Sequence, residues 1–127
     1  MLRDDLAARL LFALERRDDL ALASVLKPDV SMVVDTGDHT GGELRGRAAV
    51  TCALTDLRTR HPDASLLAMH VNGGPGLALR RSNGWVAGVL AIGSDLDLDR
   101  SGTIDRLWLS TAPGKLAHWN RRRPAAD

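Results

Sequence analysis

The chain has 127 residues, which is the length of one ordinary domain and leaves no room for a second of full size. Hydrophobic residues make up 44% and charged residues 26%, a balance that indicates a globular protein and excludes a disordered or collagen-like chain. The single Cys52 excludes an internal disulfide, and the longest apolar stretch, residues 85–92, is too short to cross a membrane. We therefore expect a cytoplasmic protein without membrane association.

Positive charge is concentrated at the C-terminal end of the chain. The net charge is +1, but residues 121–127 contain three consecutive arginines, and the remaining chain carries about −1. Such a body lacks the basic surface that nucleic-acid binding requires, so we expect no specific nucleic-acid partner. We interpret residues 1–120 as a single domain and residues 121–127 as a mobile basic tail. Arginine outnumbers lysine by fifteen to two, and we attach no function to that excess.

The N-terminal half reads as helical. Leu6, Leu10 and Leu14 recur at helical spacing, and the pair Asp18-Asp19 ends one helix and caps the next. The pattern predicts three helices, over residues 2–17, 20–26 and 46–61, with a β-branched strand at 30–34 and a turn at 35–42 between the second and the third.

The C-terminal half reads as a meander of strands. The pattern predicts strands at residues 65–71, 77–81, 85–92 and 104–111, then a short helix at 113–119. Glycine-containing turns separate the strands, and Asn83-Gly84 is the strongest hairpin signal among them. Helices followed by a meander indicate an α+β fold with a mostly antiparallel sheet.

Residues 85–92 are apolar on both alternating faces of their predicted strand. A sheet covered on one face only would alternate apolar and polar residues. The helices can cover one face, so the other face needs a partner, and a second copy of the chain is the simplest one. We therefore expect a homodimer with Trp85 and Trp108 in its interface.

Five short segments, in their order and spacing, resemble a known superfamily. Leu26–Val30, Asp35–Gly37 and Arg45–Val50 resemble nuclear transport factor 2-like proteins. Val71–Gly76 and Pro113–Leu116 narrow the resemblance to the SnoaL-like domain at the C-terminus of certain bacterial extracytoplasmic-function sigma factors. The resemblance implies a cystatin-like cone, in which three helices pack in a curved sheet around a pocket. It also implies a non-catalytic domain that binds a small hydrophobic molecule or regulates transcription.

The residues of the implied pocket follow from the predicted elements. A mostly apolar cavity with a few polar groups is the usual form of a small-molecule site. Its apolar walls would be Met32, Cys52, Leu54, Met69, Leu90 and Leu107, and its polar groups would be Asp35, His70 and Asn72. The same side chains could instead fill the cone completely.

An enzymatic alternative rests on two of these polar residues. Related folds include polyketide cyclases and ketosteroid isomerases, and Asp35 or His70 could transfer the proton in such a reaction. The chain has no tyrosine, the common partner of the developing enolate, which favours the non-catalytic reading. Cys52 has apolar neighbours in its helix and is predicted to be an inert core thiol.

Two further motifs match known sites only in part. Asp97–Asp105 resembles a calcium-binding loop, but its twelfth position is Trp108 where a bidentate Glu is needed. Val33–Gly37 matches the catalytic loop of aspartic proteases, an all-β class that three predicted helices contradict. The four histidines have no metal-ligand spacing, so we expect neither a metal nor a cofactor.

Overall fold

The computed structural model describes residues 2–71, 73–93 and 103–120. Within these ranges the chain forms four helices and six strands. The helices are α1 (Leu2–Arg16), α2 (Asp19–Val25), α3 (Arg47–Arg60) and α4 (Pro113–Asn120). The strands are β1 (Leu26–Asp35), β2 (Gly42–Arg45), β3 (Ser65–Val71), β4 (Gly74–Arg80), β5 (Val86–Gly93) and β6 (Ile104–Ser110).

Local chemistry explains where the N-terminal helices begin. The carboxylate of Asp18 accepts hydrogen bonds of 3.1 Å from the backbone N–H groups of Leu20 and Ala21, which caps α2 as predicted. Gly46 precedes α3 with φ +99°, a left-handed conformation that favours glycine. The predicted helical segments of the first half are thereby confirmed.

The strands form one mixed sheet in the order β2-β1-β6-β5-β4-β3. Only β1 and β6 run parallel to each other, and every other neighbouring pair is antiparallel. In this register Val33 lies opposite Trp108, and Trp108 lies opposite Ala91. The predicted α+β class with a mostly antiparallel sheet is confirmed.

The two faces of the sheet are covered differently. α1, α2 and α3 pack on the inner face, where Leu10, Met32 and Leu107 are fully buried in the main core. The outer face carries a smaller cluster, in which Leu116 of α4 packs on Val71 and Val89. The cone that the resemblance implied is therefore present, with its core on the inner face.

The structure corrects the predicted bounds of β1 and β4 and adds one strand, β2, that was not predicted. β1 begins at Leu26 rather than Val30, and β2 begins at Gly42, the last residue of the segment predicted as a turn. β4 begins at Gly74, inside the predicted turn at 73–76, because Val71 already pairs with Gly74 and Gly73 adopts a left-handed φ of +81° between them. Gly76 belongs to the strand, where a Cβ would meet the carbonyl oxygen of Leu90 at 2.5 Å. Only glycine fits there.

Some sequence predictions lie outside the described residues. These are Asn72, most of the calcium-like loop, and the tail at 121–127. Among the helices in residues 2–71 and 103–120, none has both the length and the apolarity needed to span a bilayer.

Candidate functional site

The interior of the cone is filled by side chains. The void between α3 and strands β4 and β5 has a volume of about 20 Å³, enough for about one water molecule. Met32 and Leu107, predicted as pocket walls, are fully buried, and Leu54 and Leu90 are 4% and 5% exposed. Four of the predicted wall residues are thus packed core residues, and a ligand has no room between them.

A cleft opens where α3 meets the edge of the sheet. It has a volume of about 260 Å³ and lies between α3 and strands β1, β2 and β6. We call it the mouth cleft. Its walls are apolar and its rim is polar: the walls are Val34, Leu44, Ala53, Leu57 and Leu109, and the rim includes Thr36, Thr40, Glu43, Arg60 and Thr111.

The polar groups at the rim are held by their neighbours. Arg60 pairs with Asp56 one turn earlier on α3, at 2.7 Å. The Asp38 carboxylate accepts hydrogen bonds from the Thr40 hydroxyl, the Thr40 N–H and the Thr36 hydroxyl, at 2.6, 2.8 and 2.8 Å. These bonds, that of the Thr40 hydroxyl first, lower the pKa of Asp38. One oxygen of the Asp38 carboxylate, Oδ1, thus holds Thr36 and Thr40 of the loop together.

A second cleft lies on the outer face of the sheet. This outer cleft has a volume of about 500 Å³ and extends from β1 across β6 and β5 to α4. At its edge the Asp35 carboxylate accepts 2.6 Å and 3.0 Å hydrogen bonds from Lys115 Nζ and the Gly37 N–H. The Ser110 hydroxyl is buried beside it without a hydrogen-bond partner in the described part of the chain.

Asp35 and His70 do not share a cavity. Asp35 lies on the outer face of β1, whereas His70 is exposed on the edge strand β3, opposite Pro75. Three strands separate β1 from β3, so these two strands lie about 19 Å apart across the sheet. His70 lines neither cleft. The two groups of the enzymatic alternative therefore cannot act on one small substrate.

The remaining predicted residues are dispersed. Cys52 is exposed, so its prediction as a core thiol and pocket wall is wrong: Val50, Leu54 and Leu57 form the buried stripe of α3, and position 52 lies off that stripe. Met69 is half-buried in the small outer cluster, away from the cone interior. Trp85 and Trp108 are 45% and 42% exposed.

Within the described part of the chain, none of the residues predicted to line a pocket lines the mouth cleft. Ala53 and Leu57 are four residues apart on α3, a spacing that places them on one helix face and was available in the sequence. Leu44 was missed because β2 was not predicted. No sequence signal indicated that Lys115, eighty residues from Asp35, would pair with it.

Asp35 gives a pH-dependent prediction. Its pKa is lowered, chiefly by the hydrogen bond from Lys115 and then by that from the Gly37 N–H. A carboxyl whose pKa is lower in the folded state stabilises the fold above its unfolded pKa, and loses that effect as the pH falls through the folded value. We expect Asp35→Asn to be less stable than wild type at pH 7, with the difference shrinking below about pH 4.

Urea unfolding at pH 7, 5, 4 and 3 measures this difference. Asp29→Asn, at an exposed position on the same strand, is the matched control. A gap between Asp35→Asn and wild type that is the same at every pH would contradict the role of the ionised carboxylate.

Within residues 2–71, 73–93 and 103–120, no three His, Cys, Asp or Glu side chains are grouped as metal ligands would be. The carboxylates described above belong to Asp35, Asp38 and Asp56, and they bind Lys, Arg, Thr and backbone N–H groups. The aspartic-protease match at Asp35-Thr36-Gly37 corresponds to a strand end and turn in a helix-containing fold.

Solved structures share this fold. A proposed isomerase of the SnoaL-like family from Agrobacterium tumefaciens matches with a TM-score of 0.61 and 13% identity, over 86% of this chain and 96% of that chain. The extracytoplasmic function sigma factor SigJ of Mycobacterium tuberculosis matches with a TM-score of 0.65 and 23% identity, over 90% of this chain and 43% of that chain. A protein of unknown function with a cystatin-like fold from Methylobium petroleophilum matches with a TM-score of 0.61 and 12% identity, over 85% and 74% of the two chains.

At such low identities the structural similarity shows the fold alone. That fold is the nuclear transport factor 2-like, SnoaL-like architecture. This chain spans less than half of the sigma factor's length. No protein-family model matches the sequence, and the search of curated proteins returned no match.

Proposed function

We propose that this protein is a non-catalytic domain that binds a small, mostly apolar molecule in the mouth cleft. The observation that carries the proposal is the composition of that cleft, with five apolar wall residues and a rim of hydroxyl groups and Arg60. A closed apolar cavity of about 150 Å³ accepts benzene. A cleft of about 260 Å³ therefore suits a molecule of one or two fused rings.

The ionisable groups of the mouth cleft do not suit general-base catalysis. A general base must lie within hydrogen-bond reach of the reacting proton, and burial usually tunes its pKa. Glu43 and Arg60 are the ionisable lining residues, and both lie at the rim. The Glu43 side chain is 54% exposed beside Arg45, at 3.6 Å. Asp35 and His70, either of which would transfer the proton in an isomerase or cyclase, are not among the residues that line the cleft.

Indole is a suitable probe because its two fused rings match the volume of the cleft. We expect its titration to shift NMR signals of Leu57, Leu109 and their neighbours. Ala53→Trp should abolish these shifts, because an indole side chain on the wall of the cleft occupies the probe's volume. Cys52→Trp is the matched control, since the adjacent position is exposed and lines no part of the cleft.

Two results would contradict the proposal. One is indole binding that Ala53→Trp and Cys52→Trp weaken equally, which would place the probe elsewhere. The other is conversion of a ketosteroid or polyketide-like substrate that Asp35→Asn or His70→Ala abolishes, which would favour the enzymatic alternative.

A regulatory role in transcription, which the resemblance to sigma-factor domains also implied, has one supporting observation. The fold is shared with part of a sigma factor, so a ligand-dependent contact with transcription proteins is a use consistent with this architecture. Fold similarity at 23% identity does not carry that partner over, and the ligand-binding proposal stands without it.

A further inference from the structure

The outer cleft is apolar along its floor and polar at one end. Its floor is the outer face of the sheet, where Val33, Trp108 and Ala91 lie side by side on β1, β6 and β5. The next outward-facing pair in this register is Asp35 of β1 and Ser110 of β6, which lie at the polar end. Two residues along a strand separate these rows by about 7 Å. A flat molecule of two fused rings would therefore reach from the polar end onto the apolar floor.

The Trp108 ring bounds the cleft on the side away from this polar end. A Cβ at Gly93 would collide with the ring, and Gly93 lies opposite Arg106, two residues before Trp108 on β6. The guanidinium carbon of Arg106 is 5.8 Å from the ring centre. The indole thus leans away from Ser110, so it forms a wall of the cleft instead of filling it. Val71, which belongs to the small outer cluster, also lines the cleft.

The polar end of the cleft presents a hydrogen-bond donor and an acceptor side by side. Lys115 Nζ lies 2.6 Å from the Asp35 carboxylate, and the two side chains are 69% and 35% exposed. A lysine ammonium has three N–H donors, and a carboxylate has about four acceptor sites. Their mutual contact and the bond from the Gly37 N–H therefore leave donors and acceptors over in the described part of the chain. Because the pair has no net charge, it favours a neutral ligand group over an ion.

The Ser110 hydroxyl adds a polar group that lacks a hydrogen bond. It is buried, and no group within residues 2–71, 73–93 and 103–120 bonds to it. A buried polar group without a partner costs stability, and a ligand that supplies the partner would account for its presence beside a cleft. The residue lines the outer cleft, and rotation about χ1 between staggered positions turns its hydroxyl toward a ligand there.

We propose that the outer cleft binds a neutral aromatic molecule through a lactam or primary amide edge. Such an edge carries a C=O acceptor and an N–H donor on the same side, which match the Lys115 ammonium and the Asp35 carboxylate. The Ser110 hydroxyl donates a second hydrogen bond to the C=O, and the rings cover Val33 and Ala91. A trans peptide bond points its N–H and C=O in opposite directions, so a peptide backbone cannot make both contacts. This site is independent of the one proposed in the mouth cleft, which lies on the other face of the sheet.

Carbostyril, a neutral lactam of two fused rings, is the probe, and quinoline, which lacks the lactam, is its matched control. The chain has three tryptophans, so Trp108→Phe assigns the indole N–H signal of Trp108 in NMR spectra. We expect carbostyril to shift that signal saturably, and quinoline to bind at least about tenfold more weakly because it makes fewer hydrogen bonds. Equal affinities for the two probes, or no shift with carbostyril, would overturn the inference. A signal that moves on dilution of the protein and not with the probe would place a second copy in the cleft and also overturn it.

Substitutions at the polar end test the contacts one at a time. Ser110→Ala and Lys115→Met each remove a donor and should raise the carbostyril dissociation constant about threefold or more. Ser110→Ala should not lower the urea midpoint of the free protein, because its hydroxyl has no partner to lose in the described part of the chain. Ser65→Ala, at an exposed position on β3 outside the cleft, and Ala53→Trp, which occupies the mouth cleft, should each change the constant less than about twofold. Weakening by Ala53→Trp but not by Ser110→Ala would place the probe in the mouth cleft and overturn the inference.

Discussion

Replacing Leu107 by alanine is expected to lower the free energy of unfolding by about 3 kcal/mol, within the range of about 2–5 kcal/mol for buried leucines. Leu107 is fully buried on the inner face of β6, in register with Met32 on β1 and Ile92 on β5. Both of these neighbours are buried as well, Met32 fully and Ile92 with 8% of its surface exposed. The substitution therefore removes packed contacts and leaves a cavity, and each effect adds to the cost.

The loss of stability in Leu107→Ala distinguishes a cone filled by side chains from a cone with an open pocket. A leucine on the wall of a ligand pocket is partly in contact with water, so its truncation loses less buried area and costs less. Leu20→Ala, at an 84% exposed position, is the control and should change stability by less than about 0.5 kcal/mol. Urea unfolding at pH 7 measures both variants. A cost below about 1 kcal/mol at Leu107 would indicate an open cavity beside it.

The fold was predictable because its signals are local and repeated. The leucines of α1 recur at helical spacing over a whole helix, and Asp18 caps α2 within three residues. The bounds of β3 agree with the prediction at both ends, because its apolar run follows the turn at Pro62-Asp63 and stops before Gly73. β2 was missed because four residues, Gly42–Arg45, are too short to show a period. The alternation of inner and outer residues places Trp108 on the outer face, where the structure has it.

The candidate site was less predictable because it depends on distances between elements. Strand parity puts Asp35 and Trp108 on one face, but the order of the strands in the sheet separates Asp35 from His70. Whether a cone is open depends on the packing of all its side chains at once, and local pattern carries no information about that volume. The mouth cleft results from the meeting of α3 with the short strand β2, the element that the pattern did not show.

Arg47→Ala is the second substitution with a large expected effect, about 2 kcal/mol of lost stability. The Nε and Nη2 atoms of Arg47, at the start of α3, donate 3.1 Å and 2.8 Å hydrogen bonds to the carbonyl oxygen of Leu26, where α2 ends and β1 begins. A helix end leaves its last carbonyl groups without intrahelical partners, and a cation there is also favoured by the helix dipole. Arg58, about three turns further along the same face of α3, donates a 2.9 Å hydrogen bond to the Leu14 carbonyl near the end of α1 in the same way.

The excess of arginine, to which the sequence alone attached no function, thus includes two side chains of α3 that join the ends of the other inner helices. Lysine at position 47 should recover only part of the loss, because an ammonium group cannot make the paired contact of a guanidinium fork. Arg45→Ala is the matched control, since its side chain is 72% exposed and lies 3.6 Å from Glu43, and it should cost less than about 0.5 kcal/mol. Chemical unfolding of Arg47→Ala, Arg47→Lys and Arg45→Ala measures these losses of stability. Equal losses for Arg45→Ala and Arg47→Ala would show that the contact with Leu26 contributes nothing beyond general surface charge.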